Sequence, residues 1–276
     1  MVNFYFVCSN KLEVDLCEQC GVKHILVSYA FATKVMKDKS LAWMRDKFET
    51  ILIDSGAHTA FTQGKEVDFD KYSDFLKKER ENYTYCAQLD IIGDTQRTID
   101  NYIRHTKEGT DWVMPIVTAN WPVHLAKLEK YLVTDYIAIG GSQWWKRFSK
   151  DNWNVVRSLP RKYHYHGFAK GQLEAFRHNW IYSIDSSTWS FGARARQSQA
   201  WVRGKQLGLN FGRRGTHDRQ DVRRTCEVLK NDLEACKCKV SDYVDGDYKT
   251  LLTAGIVLFY RPMFRQFKIF EKNFYF

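Results

Sequence analysis

The stretch "ILIDSGAHTAF", residues 51–61, drives an aliphatic run onto a carboxylate, Asp54, and follows it with the small residues Ser55, Gly56 and Ala57. With Thr50 it gives "TILID", a short apolar segment that reads as a buried strand. A carboxylate at a strand's carboxyl end, followed by residues that permit close backbone approach, has the form of a site rather than of a simple turn. The same form recurs. "YTYCAQLD" (83–90) ends in Asp90, with Asp94 close behind. "DYIAIG" (135–140) runs into the pair Gly140-Gly141. "KYHYHGF" (162–168) carries His166-Gly167, and "WIYSID" (180–185) ends in Asp185.

Outward from these, further strands are expected at 3–8 ("NFYFVC"), 24–29 ("HILVSY") and 112–117 ("WVMPIV"), and a ninth at 206–211 ("QLGLNF"). Amphipathic helical patterns fill the intervals at 68–80, 95–106, 122–132 and 171–179. In the first of them Phe69, Tyr72, Phe75 and Leu76 share a face. Strands alternating with helices imply parallel pairing through right-handed crossovers. About eight such units in roughly 250 residues is the count of a (β/α)8 barrel. The expected fold is therefore α/β, a TIM-like barrel over residues 1–212. Residues 213–276 form a helical, aromatic and basic extension packed on it. An open doubly wound sheet is the alternative, but no Gly-rich phosphate loop follows the first strand.

In a parallel barrel, reacting groups come from the carboxyl ends of the strands. Taken singly, each strand-end residue has a plain explanation. An Asp after a strand commonly caps the next helix, which fits Asp94 before "TQRTIDNYI". A glycine pair makes a tight turn, and a buried His can be structural. Together, Asp54, Asp90, Asp185, Gly140, Gly141 and His166 would face one pocket. Two carboxylates in a pocket suit chemistry at an anomeric carbon, one attacking C1′ or steadying an oxocarbenium ion and the other moving a proton on the leaving group. That reading leads to a glycosidase or a base-exchanging enzyme.

The formal net charge of +10 favours a polyanionic partner. Ten basic residues against three acidic ones fall within residues 191–230, among them Arg194, Arg196, Arg203, Arg213, Arg214, Arg223 and Arg224. This segment follows Asp185 directly, where phosphates beside a target nucleotide would lie. Trp189, Phe191 and Trp201 interleave with it, as expected for unstacked bases. A base inside a duplex is unreachable, so the target must be flipped or single-stranded. The seven Cys are irregularly spaced. Residues 1–30 lack the basic n-region and cleavage site of a signal peptide, and no apolar run approaches the ~20 residues of a membrane span. A reducing, cytoplasmic compartment and no membrane partner are expected.

The ordered set "DSGAHTAF", "QLDIIGD", "YIAIGGS", "HGFAKG" and "SIDSSTW" resembles the tRNA-guanine transglycosylase superfamily. It is most similar to the phage-type enzymes that place 7-deazaguanines in DNA, over about residues 3 to 190. The resemblance implies that Asp185 is the nucleophile forming a covalent intermediate, that Asp54 handles protonation of the base, and that Asp90 reads the base. It also implies a base pocket lined by Ser55, Gly140, Gly141 and the His166-Gly167 segment. His58 stands where the family carries an aromatic stacking residue. The substrates implied are DNA, with tRNA as the alternative, and a free 7-deazaguanine. The tRNA enzymes carry a zinc site after the nucleophile strand. Here Cys236 and Cys238 are present but position 241 is Ser, so no metal or other cofactor is expected. An improvised set of His217, Cys226, Cys236 and Cys238 is the alternative, and "CEQC" (17–20) reads more simply as part of a helix.

Overall fold

The computed structural model describes residues 2–35, 40–118, 121–140, 155–168, 176, 181–194, 197–202, 204–210, 230–235, 237–244 and 247–275. The chain forms two compact units: Met1–Ser9 with His24–Asp185, and Asn10–Lys23 with Ser186–Phe276. A segment near the amino terminus, 10–23, belongs with the carboxyl-terminal residues.

The first unit is built on an eight-stranded curled sheet flanked by helices. In chain order the strands are β1 (Asn3–Cys8), β2 (His24–Ser28), β3 (Thr50–Asp54), β4 (Tyr85–Cys86), β5 (Ile116–Val117), β6 (Tyr136–Ile139), β7 (His164–Gly167) and β8 (Ile181–Ser186). Their spatial order is β4-β3-β2-β1-β8-β7-β6-β5, and the pairs whose register is resolved are parallel. Ala87, just past β4, and Met114, just before β5, form one further parallel bridge between the edge strands. Met114 N–H donates to Cys86 O at 2.7 Å, and Gln88 N–H donates to Met114 O at 2.9 Å.

The inner face of the sheet is a cluster of Tyr5, Leu26, Leu52, Ala87, Met114, Ile116, Tyr136 and Ala138. The alternate residues Phe4, Phe6, Ile25, Val27, Ile51 and Ile53 are buried beneath the helices. Strands buried on both faces explain the continuous aliphatic runs read from the sequence. The helix Phe69–Lys78 is capped by Asp68 and buries Phe69, Tyr72 and Leu76. The helix Thr95–Lys107 is capped by Asp94, whose side chain accepts from Arg97 N–H at 3.0 Å. The fourth expected helix, 171–179, lies outside the described residues apart from Phe176.

In the second unit, Gln197–Val202 and Lys205–Asn210 pair antiparallel. The expected ninth strand thus belongs to a separate hairpin, turned at Gly204 with φ +76°. The helices Lys230–Ala235 and Val240–Val244 follow. Tyr248–Gln266 is helical throughout, with a π-helical stretch over Gly255–Tyr260. Pro262 lies just beyond it and cannot donate to the carbonyl of residue 258, a common cause of helix irregularity. Trp189 and Trp201 are buried in this unit, and the Trp201 indole N–H donates to Gln266 Oε1 at 2.7 Å. The expectation that they stack on bases is thereby corrected: their area is used to fill a core. No helix among the described residues is long and apolar enough to cross a membrane.

Candidate active site

Because the strands are parallel, their carboxyl ends share one edge of the sheet. β3 delivers Asp54 there in register with Ser28 of β2. Gly56 then adopts φ +76°, a left-handed conformation that suits glycine. Its N–H donates to Asp54 Oδ2 at 3.0 Å. This local turn orients the carboxylate, which accounts for the small residues after it.

Asp90 lies past β4 on a loop that the neighbouring helices brace. Tyr72 OH donates to Ala87 O at 2.7 Å, the Gln88 amide donates to Thr98 O at 2.9 Å, and the Asn101 amide donates to Leu89 O at 3.0 Å. Leu89 N–H donates to Nε2 of buried His105 at 3.4 Å. Burial pushes the His105 imidazole down to about 3, with the Arg104 and Lys77 charges adding to it, so it serves as a neutral acceptor. Ser55 Oγ donates to Asp90 Oδ1 at 3.3 Å, joining this loop to the end of β3.

Asp185 reaches the same edge by a different device. Tyr165 of β7 is opposite Ile181, but His166 is opposite Ser183, so β8 carries one extra residue. Such a bulge changes which face later side chains take. It turns both Tyr182 and Ser183 inward and brings Asp185 onto the inner face two residues on. There Asp185 Oδ1 lies 3.3 Å from His166 Nε2, and both residues are buried.

Two of the three carboxylates act on the third. Burial pushes Asp54 up to about 7, with the negative charges of Asp90 and then Asp185 adding to it and the Gly56 N–H opposing it. Burial likewise lifts Asp90 to about 6, against the Ser55 hydroxyl. Two groups titrating near neutrality at one sheet edge can exchange protons with a bound base.

The glycine at 140 has a packing reason. Its N–H donates to Val117 O at 2.9 Å, and a Cβ there would come within 2.9 Å of Ile116 Cγ2. Trp121 Nε1 donates to Gly140 O at 3.2 Å. Gly167 is a buried β7 residue paired with Ile139 and Ile184. Gly141 lies outside the described residues.

A pocket of about 430 Å³ opens beside Asp90, with Ala57, Phe61 and Leu89 among its walls. Phe61 is 57% exposed. His58 is exposed on the helix Ala57–Thr62 and is not part of that wall, so the aromatic surface presented to the pocket is Phe61, which sequence reasoning passed over. It also missed Ser183, Tyr136 and Tyr5, which connect to His166. The available signal was the two-residue spacing of Ser183 and Asp185.

Arg194, expected to contact phosphate, pairs within the second unit with Glu13, whose side chain is fully buried, at 2.8 Å. Arg196, Arg203, Arg213, Arg214, Arg223 and Arg224 lie outside the described residues, as do His217, Cys226 and Cys236. Among the described residues no group of three or more His, Cys, Asp or Glu is placed to hold a metal ion. Cys17, Cys20 and Cys238 are buried. No protein-family model matches this sequence, and no curated protein matches it.

Proposed function

We propose that the chain is a base-exchanging transglycosylase that replaces guanine in DNA with a 7-deazaguanine such as 7-cyano-7-deazaguanine. The proposal includes a closed (β/α)8 barrel, for which the Ala87–Met114 bridge between the edge strands is the supporting contact. The observation that carries the reading is the gathering of Asp54, Asp90 and Asp185 at one strand edge, close enough that the charges of Asp90 and Asp185 both act on Asp54.

In this reading Asp185 attacks C1′ of the target nucleotide. The C1′–N9 bond breaks and its electron pair leaves with guanine, which takes a proton from the Asp54 carboxyl. The incoming 7-deazaguanine gives its N9 proton to the Asp54 carboxylate. Its nitrogen then attacks C1′ and expels Asp185, so two displacements give net retention. A carboxyl near 7 suits a group that must both give and take a proton. Asp90, fixed by Ser55, accepts from the N–H edge of the base, and Phe61 offers it an aromatic face. None of these steps calls for a Lewis acid.

The basic excess within residues 191–230 supports a nucleic-acid substrate. The discriminating experiment incubates the protein with guanine-containing DNA and a labelled 7-deazaguanine, with tRNA in parallel. Label entering DNA supports the proposal. Label entering tRNA alone moves it to the tRNA-directed alternative. Label in neither leaves a nucleic-acid-binding barrel without exchange activity.

A further inference from the structure

The inner face of this sheet is unusually polar for a packed interior. Starting at the amino-terminal ends of the strands, His24 Nδ1 lies 2.7 Å from Thr50 Oγ1, and Thr50 Oγ1 donates to Tyr5 OH at 3.2 Å. Tyr5 and Tyr136 are both buried in the inner-face cluster. Tyr136 OH bonds Ser183 Oγ, and Ser183 Oγ lies 2.7 Å from His166 Nδ1. His166 Nε2 faces Asp185 Oδ1 at 3.3 Å.

A neutral imidazole has one N–H, and a carboxylate oxygen can only accept. With Asp185 Oδ1 3.3 Å from Nε2, the imidazole proton belongs on Nε2. Nδ1 is then the acceptor for the Ser183 hydroxyl at 2.7 Å, and Ser183 Oγ, having given its one proton, accepts from Tyr136 OH.

We propose that His166 is a positioning residue for Asp185, held as the Nε2–H tautomer between the Ser183 hydroxyl and the Asp185 carboxylate. The role given to Asp185 rests on the transglycosylase reading; the tautomer rests on the two His166 contacts alone. His166 Nε2 is buried and has no partner in ideal hydrogen-bond alignment, although the carboxylate oxygen is 3.3 Å away. An apolar side chain would fill this place without a polar cost. Such contacts are often long in the empty enzyme and align in the reacting complex. An N–H aimed at Asp185 stabilises the carboxylate as it is expelled from C1′ in the second displacement, and holds it in place for the first. The β8 bulge makes this possible by turning Ser183 and Asp185 together onto the inner face that carries His166.

Two measurements test this. Nitrogen-15 NMR of histidine-labelled protein, with His166 assigned by its loss in His166→Gln, reads the tautomer directly. The wild type should show His166 protonated on Nε2 alone, and Ser183→Ala should mix the two tautomers. A wild-type His166 protonated on Nδ1, or on both nitrogens at neutral pH, overturns the inference. The second measurement is single-turnover formation of the covalent adduct on DNA by His166→Gln and His166→Asn. Gln carries an amide near the Nε2 position and Asn only near Nδ1. Gln should stay within about threefold of wild type, and Asn should slow the step about ten- to a hundredfold with DNA affinity unchanged, the range expected for one charge-assisted hydrogen bond. Equal rates for Asn and wild type would overturn the positioning role. If wild type forms no adduct with any nucleic acid, the transglycosylase reading falls, while the tautomer measurement still decides whether the Ser183 hydroxyl holds His166 against Asp185.

Discussion

Ser55 Oγ donates to Asp90 Oδ1 at 3.3 Å, tying the residue after one strand-end carboxylate to another carboxylate thirty-five residues on. The bond holds Asp90 beside the end of β3, where its charge raises the Asp54 carboxyl.

The pH dependence of stability follows. Asp54 titrates near 7 in the folded chain, against an ordinary 3.8. Between those values the folded state holds a proton that the unfolded state releases, so stability is fully present at low pH and is lost as pH rises through about 7. Asp54→Asn cannot ionise and keeps an acceptor for Gly56 N–H. Its melting temperature relative to the parent should be little changed at pH 4 and clearly raised at pH 8. A variant less stable than the parent at pH 8 would contradict the burial assigned to Asp54.

Gly140→Ala should destabilise the first unit by about 1–3 kcal/mol, the usual cost of overpacking a filled interior, because the new Cβ meets Ile116 Cγ2 at 2.9 Å. Ile116→Ala in the same chain removes that methyl. The two substitutions together should then cost less than their separate costs summed. Denaturant melts of both single variants and the double variant check this, and strictly additive costs would contradict the close approach.

Arg194→Ala should unfold more readily by about 2–3 kcal/mol, since it removes an ion-pair partner of the buried Glu13 carboxylate; the half-exposed position of Arg194 keeps this at the low end for a broken buried pair. Adding Glu13→Gln, which removes the buried charge, should restore part of the loss. Urea midpoints for the three variants are the measurement. No loss for Arg194→Ala would show that the pair is incidental, and would return Arg194 to the candidates for phosphate contact.

Much of the fold was legible because it rests on aliphatic runs. "TILID" coincides with β3, and "NFYFVC" with β1. "YTYCAQLD" was less so, since only Tyr85–Cys86 pair as a strand. The rest is an irregular loop held by Tyr72, Thr98, Asn101 and His105, contacts between residues far apart in sequence. Asp54, Asp90 and Asp185 could be found because a carboxylate ending an apolar run is conspicuous. The Ser183–His166 link could not, because it depends on a one-residue bulge that shifts the register of β8 against β7. Trp189 and Trp201 were misread for a related reason: beside a basic segment an indole suggests base stacking, whereas the hairpin and the helices after it need the same indoles as core.

The central claim is that Asp185 attacks a nucleotide at C1′. The most direct measurement is intact-mass analysis, after denaturation, of the protein incubated with guanine-containing DNA and no incoming base. Wild type should carry one DNA strand less its guanine, covalently bound, and Asp185→Asn should carry none while still binding DNA. An Asp185→Asn protein that forms the adduct, or exchanges the base as fast as wild type, would contradict the account.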